Sequence, residues 1–254
     1  MSSGAAALSP SAGVRSAITL REGLLAEATG GRQQRFRAKY VAFAFIAAMA
    51  AYVLHHNERF LIDASHPIWQ HYEPFKWWLL PHGVAGACVL ILAPMQFSER
   101  LRLRFTTLHR VTGGIYVTSV FILAPLGVYI QFVDEAQGAA RSFTIAAAVD
   151  AALLMTTTAI GLVFALKRMF TQHRQWMIRS YAVALTFLEI RFILGVTGLD
   201  QPFNWAVLEV VVWTCVALSL LVGDLANQWY DLAHARPRPA RTQRAEATAL
   251  SPAE

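Results

Sequence analysis

Six apolar stretches, each close to the ~20 residues a helix needs to cross a bilayer, restrict this chain to one class of fold. They run from Tyr40 to His55, Trp77 to Phe97, His109 to Phe132, Phe143 to Leu166, Arg179 to Leu199 and Asn204 to Gln228. In hydrocarbon every backbone N–H and C=O must find its partner within the segment, so stretches of this length are helical. The expected fold is all-α, a polytopic membrane bundle of six transmembrane helices. A hydrophobic content of 56% and a mean hydropathy of +0.40 fit that expectation.

The basic residues are distributed unevenly over the connections. Arg100, Arg102, Arg104 and Arg110 lie between the second and third spans, and Lys167, Arg168, Arg174 and Arg179 between the fourth and fifth. Arg32, Arg35, Arg37 and Lys39 precede the first span, and Arg236, Arg238, Arg241 and Arg244 come after the last. The alternate connections hold only Arg59 and Lys76, Arg141, and none. This bias predicts both termini in the cytoplasm. The net charge of +6 and pI near 9.7 are thereby accounted for by topology, with the lipid bilayer as partner and no nucleic acid.

The chain thus divides into three regions. Residues 1–38 form a cytoplasmic N-terminal segment, Ser, Ala and Gly rich and disordered at first, without a signal-peptide core, and with Val14 to Ala28 patterned as a short amphipathic helix on the membrane surface. Residues 39–229 are the transmembrane domain. Residues 230–254, with Pro237 and Pro239, are a disordered cytoplasmic tail. Cys88 and Cys215 sit within apolar runs without C-x-x-C spacing and read as small core residues. Neither G-x-S-x-G nor H-E-x-x-H occurs, so nothing points to hydrolysis.

Polar residues inside the apolar runs are the functional candidates, because ionisable groups there are expensive. Asp150 lies about eight residues into the fourth span from its outer end and Arg191 about eleven into the fifth from its inner end, so their depths coincide and they are expected to pair. Glu189, two residues from Arg191, points to another face. A proton relay through these carboxylates is the alternative to structural pairing. On the outer side His55, His56, His66, His71 and His82 cluster among aromatic residues, at spacings that match no metal-ligand pattern.

His82-Gly-Val-Ala-Gly86 and His109-Arg-Val-Thr-Gly113 share H-x-V-x-G, each with I-L-A-P later in its span, as an inverted duplication could produce. Their spans run in opposite directions, so these histidines lie roughly 20 Å apart in opposite leaflets and cannot share a site. A glycine one turn from a histidine leaves room beside the imidazole for a flat ring. That pattern suggests haem b, with His109 and His173 as axial ligands to its iron, Gly113 clearing the ring face and Trp176 stacking on the macrocycle edge. Arg110, Arg174 and Arg179, at the same boundary, would answer the propionates.

Leu80-Pro-His82, Met95-Gln-Phe97, Leu108-His-Arg110, Gly114-Ile-Tyr116 and above all His173-Arg174-x-Trp176-Met-Ile-Arg179-Ser-Tyr-Ala182 with Arg191 resemble an uncharacterised bacterial family of predicted integral membrane proteins, a domain of unknown function. The resemblance covers about residues 40 to 228, implies a multi-helix membrane fold and highlights His82, His109, His173, Arg179 and Arg191. A more distant likeness is to cytochrome b561-type proteins, which hold haem between histidines of paired spans. The fourth span here has no histidine, so a second haem at His82 departs from that pattern. Two functions are therefore weighed: haem-mediated electron transfer with a redox partner or quinone, and a non-enzymatic transporter or accessory subunit built on Asp150, Glu189 and Arg191.

Overall fold

A computed structural model describes residues 39–58, 60, 63, 65–199 and 204–234. The expected amphipathic helix at Val14–Ala28 and the tail beyond His234 lie outside them. The chain divides into two compact units, residues 1–46 and 47–254, and the helix bundle belongs to the second. The described residues form α1 (Lys39–His56), α2 (Ile68–Tyr72), α3 (Lys76–Gln96), α4 (Glu99–Arg104), α5 (Thr106–Ala136), α6 (Arg141–Leu166), α7 (Phe170–Ala184), α8 (Thr186–Thr197) and α9 (Trp205–His234). Six helical segments are long and apolar enough to cross a membrane, α7 and α8 together making the fifth.

α3 packs on α5, α5 on α6 and α6 on α7, while α9 lies against α7 and α8. Apolar surface gains nothing by moving from lipid into the bundle, so close contact between small residues holds the helices together. In α6 the buried positions are Ala146, Ala147, Asp150, Ala151, Leu154, Thr157, Thr158 and Gly161, spaced at three and four residues along one face. Bulky residues such as Ile145, Leu162 and Val163 are turned outward, as a lipid-facing surface requires. The fifth span is the most buried, at 44% against 11–33% for the others, which places it at the centre.

Several boundaries differ from the sequence expectation. The fifth span begins at Phe170, nine residues before the expected Arg179, because its amphipathic first turns continue the helix across the interface. It is also broken: Leu185 separates α7 from α8, and its N–H donates 3.1 Å to the Ala182 carbonyl, a tightened i→i−3 turn. No proline or glycine stands nearby to announce this break. α8 ends at Gly198, whose φ of +66° gives the left-handed C-terminal cap that glycine adopts without strain. α9 continues to His234, past the expected start of the tail.

At the end of the bundle opposite the Arg-rich connections, Phe60 is buried among aromatic rings, 5.2 Å from Trp69 and 5.1 Å from Tyr72. Trp69 Nε1–H donates to the Asp63 carbonyl at 3.2 Å. Hydrogen bonds from the Ser65 hydroxyl and N–H hold the Asp63 carboxyl below its usual range, and burial raises the Tyr72 phenol. The five histidines of this side do not converge. His71 Nε2 lies 3.0 Å from Asp134 Oδ1, His56 stacks on Tyr52, and the Ile68 N–H donates to His66 Nδ1 at 3.3 Å. Among the described residues, no group of three or more His, Cys, Asp or Glu could hold a metal ion.

Candidate functional site

His109 and His173 are each the fourth residue of a helix, α5 and α7, at the basic end of the bundle. The expectation that His173 precedes its span is thus corrected: its N–H donates to the Met169 carbonyl at 2.9 Å within the first helical turn. Its ring Nδ1 lies 2.8 Å from the Gly161 carbonyl of α6, which can only accept, so Nδ1 carries the proton and Nε2 the lone pair. Gly161 allows this approach. A Cβ there would meet Met177 Sδ at 2.8 Å and Trp176 Cβ at 3.5 Å. His109 is half-buried and within electrostatic reach of His173 and Arg102, so the two imidazoles share one region.

Gln96, the last residue of α3, fills the space beside His109. The hydrogen-bond pattern favours its amide NH2 facing the ring, 2.8 Å from Nδ1 and 3.1 Å from the His109 carbonyl, with its oxygen 2.5 Å from the Thr112 hydroxyl. His109 then carries its proton on Nε2. Turning the amide by half a revolution presents its oxygen to Nδ1 and moves that proton across the ring. Gly113 does not open a ring-sized space, since a Cβ there would meet the Gln96 side chain at 3.3 Å.

Two of the arginines expected at propionates are engaged elsewhere. Arg174 pairs with Asp231 at 2.7 Å and lies over the Tyr230 ring; Arg179 pairs with Asp224 at 2.6 Å, 5.0 Å from the Trp176 ring centroid. Gln175 donates to Asp231, and Asn227 to the Gln175 carbonyl. These contacts fasten α7 to α9. Ending the last span at Gln228 left Asp231 in the expected tail, whereas Asp224 and Asn227 fell inside that span and only the packing of α9 on α7 shows their partners. Trp176 packs against Gly161 and beneath Arg179, while Arg110 is exposed at the start of α5.

Two turns further into the bundle a polar layer crosses it. Tyr116 of α5 meets the Ser180 hydroxyl of α7 at 2.8 Å, Ser180 meets Thr158 of α6 at 2.7 Å, and Thr158 donates to the Leu154 carbonyl at 2.7 Å. These side chains are at most 1% exposed. Three hydroxyls in series give each O–H one acceptor, an arrangement in which neighbouring bonds reinforce one another.

The expected Asp150–Arg191 pair does not form. Measured from Phe170, Arg191 lies about 30 Å along its span and six residues from its far end at Thr197, beyond the depth of Asp150. There it pairs with Glu58, just past the end of α1. Asp150, 3% exposed, interacts with the Thr186 hydroxyl and feels the charge of Glu189. Asp150 Oδ1 and Thr186 Oγ1 nevertheless each lack a hydrogen bond of good geometry.

His82 of α3 stands alone near the opposite end, its Nδ1 3.1 Å from the Leu123 carbonyl of α5. The glycine that clears its ring is Gly127 of α5, where a Cβ would meet His82 Cε1 at 3.1 Å; Gly86 instead faces Leu123. H-x-x-x-G therefore does not describe either histidine's surroundings. Gln96, Gly161, Gly127, Thr186 and Glu58 act on these sites from other segments of the chain, and no local motif marks them.

No curated protein and no solved structure matches the chain, and the likeness to cytochrome b561-type proteins finds no counterpart there. Residues 79–227 match a family described as predicted membrane protein (DUF2306), a span that runs from within α3 to within α9 and includes both histidines of the basic end. As the match covers more than half of its length, the chain belongs to that family of membrane proteins of unknown function.

Proposed function

We propose that this multi-pass membrane protein binds one haem b between His109 and His173 and transfers electrons through it. The observation that carries the reading is that two imidazoles, each the fourth residue of its helix, lie within electrostatic reach of one another, one of them held by the Gly161 carbonyl in the tautomer whose Nε2 can bind iron. Haem held by two histidines has no open iron position and supplies one-electron transfer. The remaining roles fall to the chain itself. Gln96, whose amide NH2 now leaves the His109 proton on Nε2, would have to turn its oxygen to Nδ1 to free Nε2 for iron, and the Tyr116–Ser180–Thr158 layer would close the site from the membrane interior. With Arg174 and Arg179 occupied, Arg110 of the expected cations and Arg102, within electrostatic reach of His109, would answer the propionates.

The Arg-rich end is taken to face the cytoplasm, so the haem would meet its redox partner or a quinone near the inner surface of a bacterial cytoplasmic membrane. Reduced-minus-oxidised spectra of the wild type, His109→Ala and His173→Ala test the reading. Loss of the low-spin spectrum in both variants is expected. An unchanged spectrum and full haem stoichiometry in both would overturn it.

A further inference from the structure

Asp150 is the most deeply enclosed carboxyl of the bundle's described residues, and a second carboxyl, Glu189 of α8, lies within electrostatic reach of it. Thr186, the first residue of α8, is fully buried, and Glu189 stands one turn later, half-buried. The cations of the surrounding elements are committed to other acids: Arg191 to Glu58, Arg179 to Asp224 and Arg174 to Asp231. Of the ionisable groups packed around Asp150, α8 brings Glu189, and α9 brings Cys215 beside Glu189. Tyr116 of α5 and Tyr181 of α7 belong to the next layer, towards the basic end.

Two neighbouring carboxylates, one enclosed and one half-buried among low-dielectric helices without a cation, would both carry a desolvation cost and repel each other. A carboxylate is also an acceptor only, whereas a carboxylic acid brings an O–H donor and keeps acceptor capacity. The two orphaned atoms, Asp150 Oδ1 and Thr186 Oγ1, are the groups such a donor would join. Two carboxyls and one hydroxyl are too few oxygens to replace the shell of a hard metal cation, which takes about six or more. Glu189 lies in the first turn of α8, where the helix end favours negative charge, so the proton resides better on Asp150.

We propose that Asp150 and Glu189 form a proton-binding pair in the membrane interior, with the proton on Asp150 donated to the Thr186 hydroxyl. Binding takes one proton from water and release returns it; no electrons move, and the pair functions whether or not haem is bound. The site lies towards the bundle end opposite the histidines, nine residues into α6.

Infrared spectroscopy of the purified full chain in lipid nanodiscs tests this. At neutral pH the expected result is a carboxylic-acid C=O band that shifts in D2O, shifts again on 13C-aspartate labelling and is lost in Asp150→Asn. In Glu189→Gln the aspartic-acid band should persist but vanish at a lower pH, since its negative neighbour is gone. The label serves where Asp150→Asn does not fold. Absence of any acid band sensitive to the aspartate label, or a band abolished by sodium at constant pH, would overturn the proposal.

Discussion

Ser180→Ala removes the central hydroxyl of the buried layer, and the surrounding contacts fix the sign of its effect on stability. Thr158 keeps the Leu154 carbonyl at 2.7 Å, so its O–H remains satisfied. Tyr116, 1% exposed, loses the acceptor it has at 2.8 Å and becomes a buried donor without a partner. An unmet buried donor costs about 1–3 kcal/mol, and interhelical hydrogen bonds in membrane proteins average ~0.6 and reach ~1.7. Ser180→Ala is therefore expected to destabilise by about 1–2 kcal/mol, mostly through the stranded phenol. Tyr116→Phe alone should cost less, since the Ser180 hydroxyl can still donate to Thr158. In the Ser180→Ala background Tyr116→Phe should be neutral or stabilising, because it removes the unmet donor. Reversible unfolding in mixed micelles, read as a double-mutant cycle, measures this coupling. Additive losses, with Tyr116→Phe destabilising both backgrounds equally, would refute the assigned hydrogen-bond chain.

Single contacts carry further predictions. Gly161→Val places bulk against Met177 and Trp176 and should cost about 1–3 kcal/mol by overpacking, with loss of the His173 anchor visible as a changed imidazole NMR shift. Arg179→Gln breaks a partly exposed pair with Asp224 and should cost at most about 1 kcal/mol in thermal unfolding, since both partners reach solvent or headgroups. The loss of stability in Arg191→Gln should be partly relieved by adding Glu58→Gln and left unrelieved by adding Asp150→Asn, the reverse of what the sequence-based pairing requires. A cysteine at position 137, in the connection between α5 and α6, should react with an impermeant maleimide only from outside the cell.

The number and rough extent of the spans were legible because hydrocarbon imposes its length requirement on each segment separately. The similar depth of His109 and His173 was legible too, since position along a helix sets depth and both lie near the basic ends of their helices. Partner identities were not. Arg191 was assigned to Asp150 by a depth count begun at Arg179, and the helix starts nine residues earlier, so the count misplaced Arg191 by more than two turns. Arg174 looked free for a ligand because Asp231 was read as tail sequence, and Arg179 because nothing in its own helix names Asp224 of α9 as its partner. Gly113 looked like clearance because nothing in α5 says that Gln96 of α3 occupies it. The break at Leu185 left no trace in the sequence, as neither proline nor glycine causes it. Each of these errors concerns contacts between helices, which periodicity within one helix cannot report.

Haem content per chain tests the central claim most directly. The protein, purified in mild detergent from haem-replete cells, should yield one pyridine haemochromogen of haem b per polypeptide, with His82→Ala leaving that ratio unchanged, because His82 lies on α3 near the other end of the bundle, away from His109 and His173. A colourless, folded wild type from the same cells, or a haem lost from His82→Ala and retained by His109→Ala and His173→Ala, would contradict it.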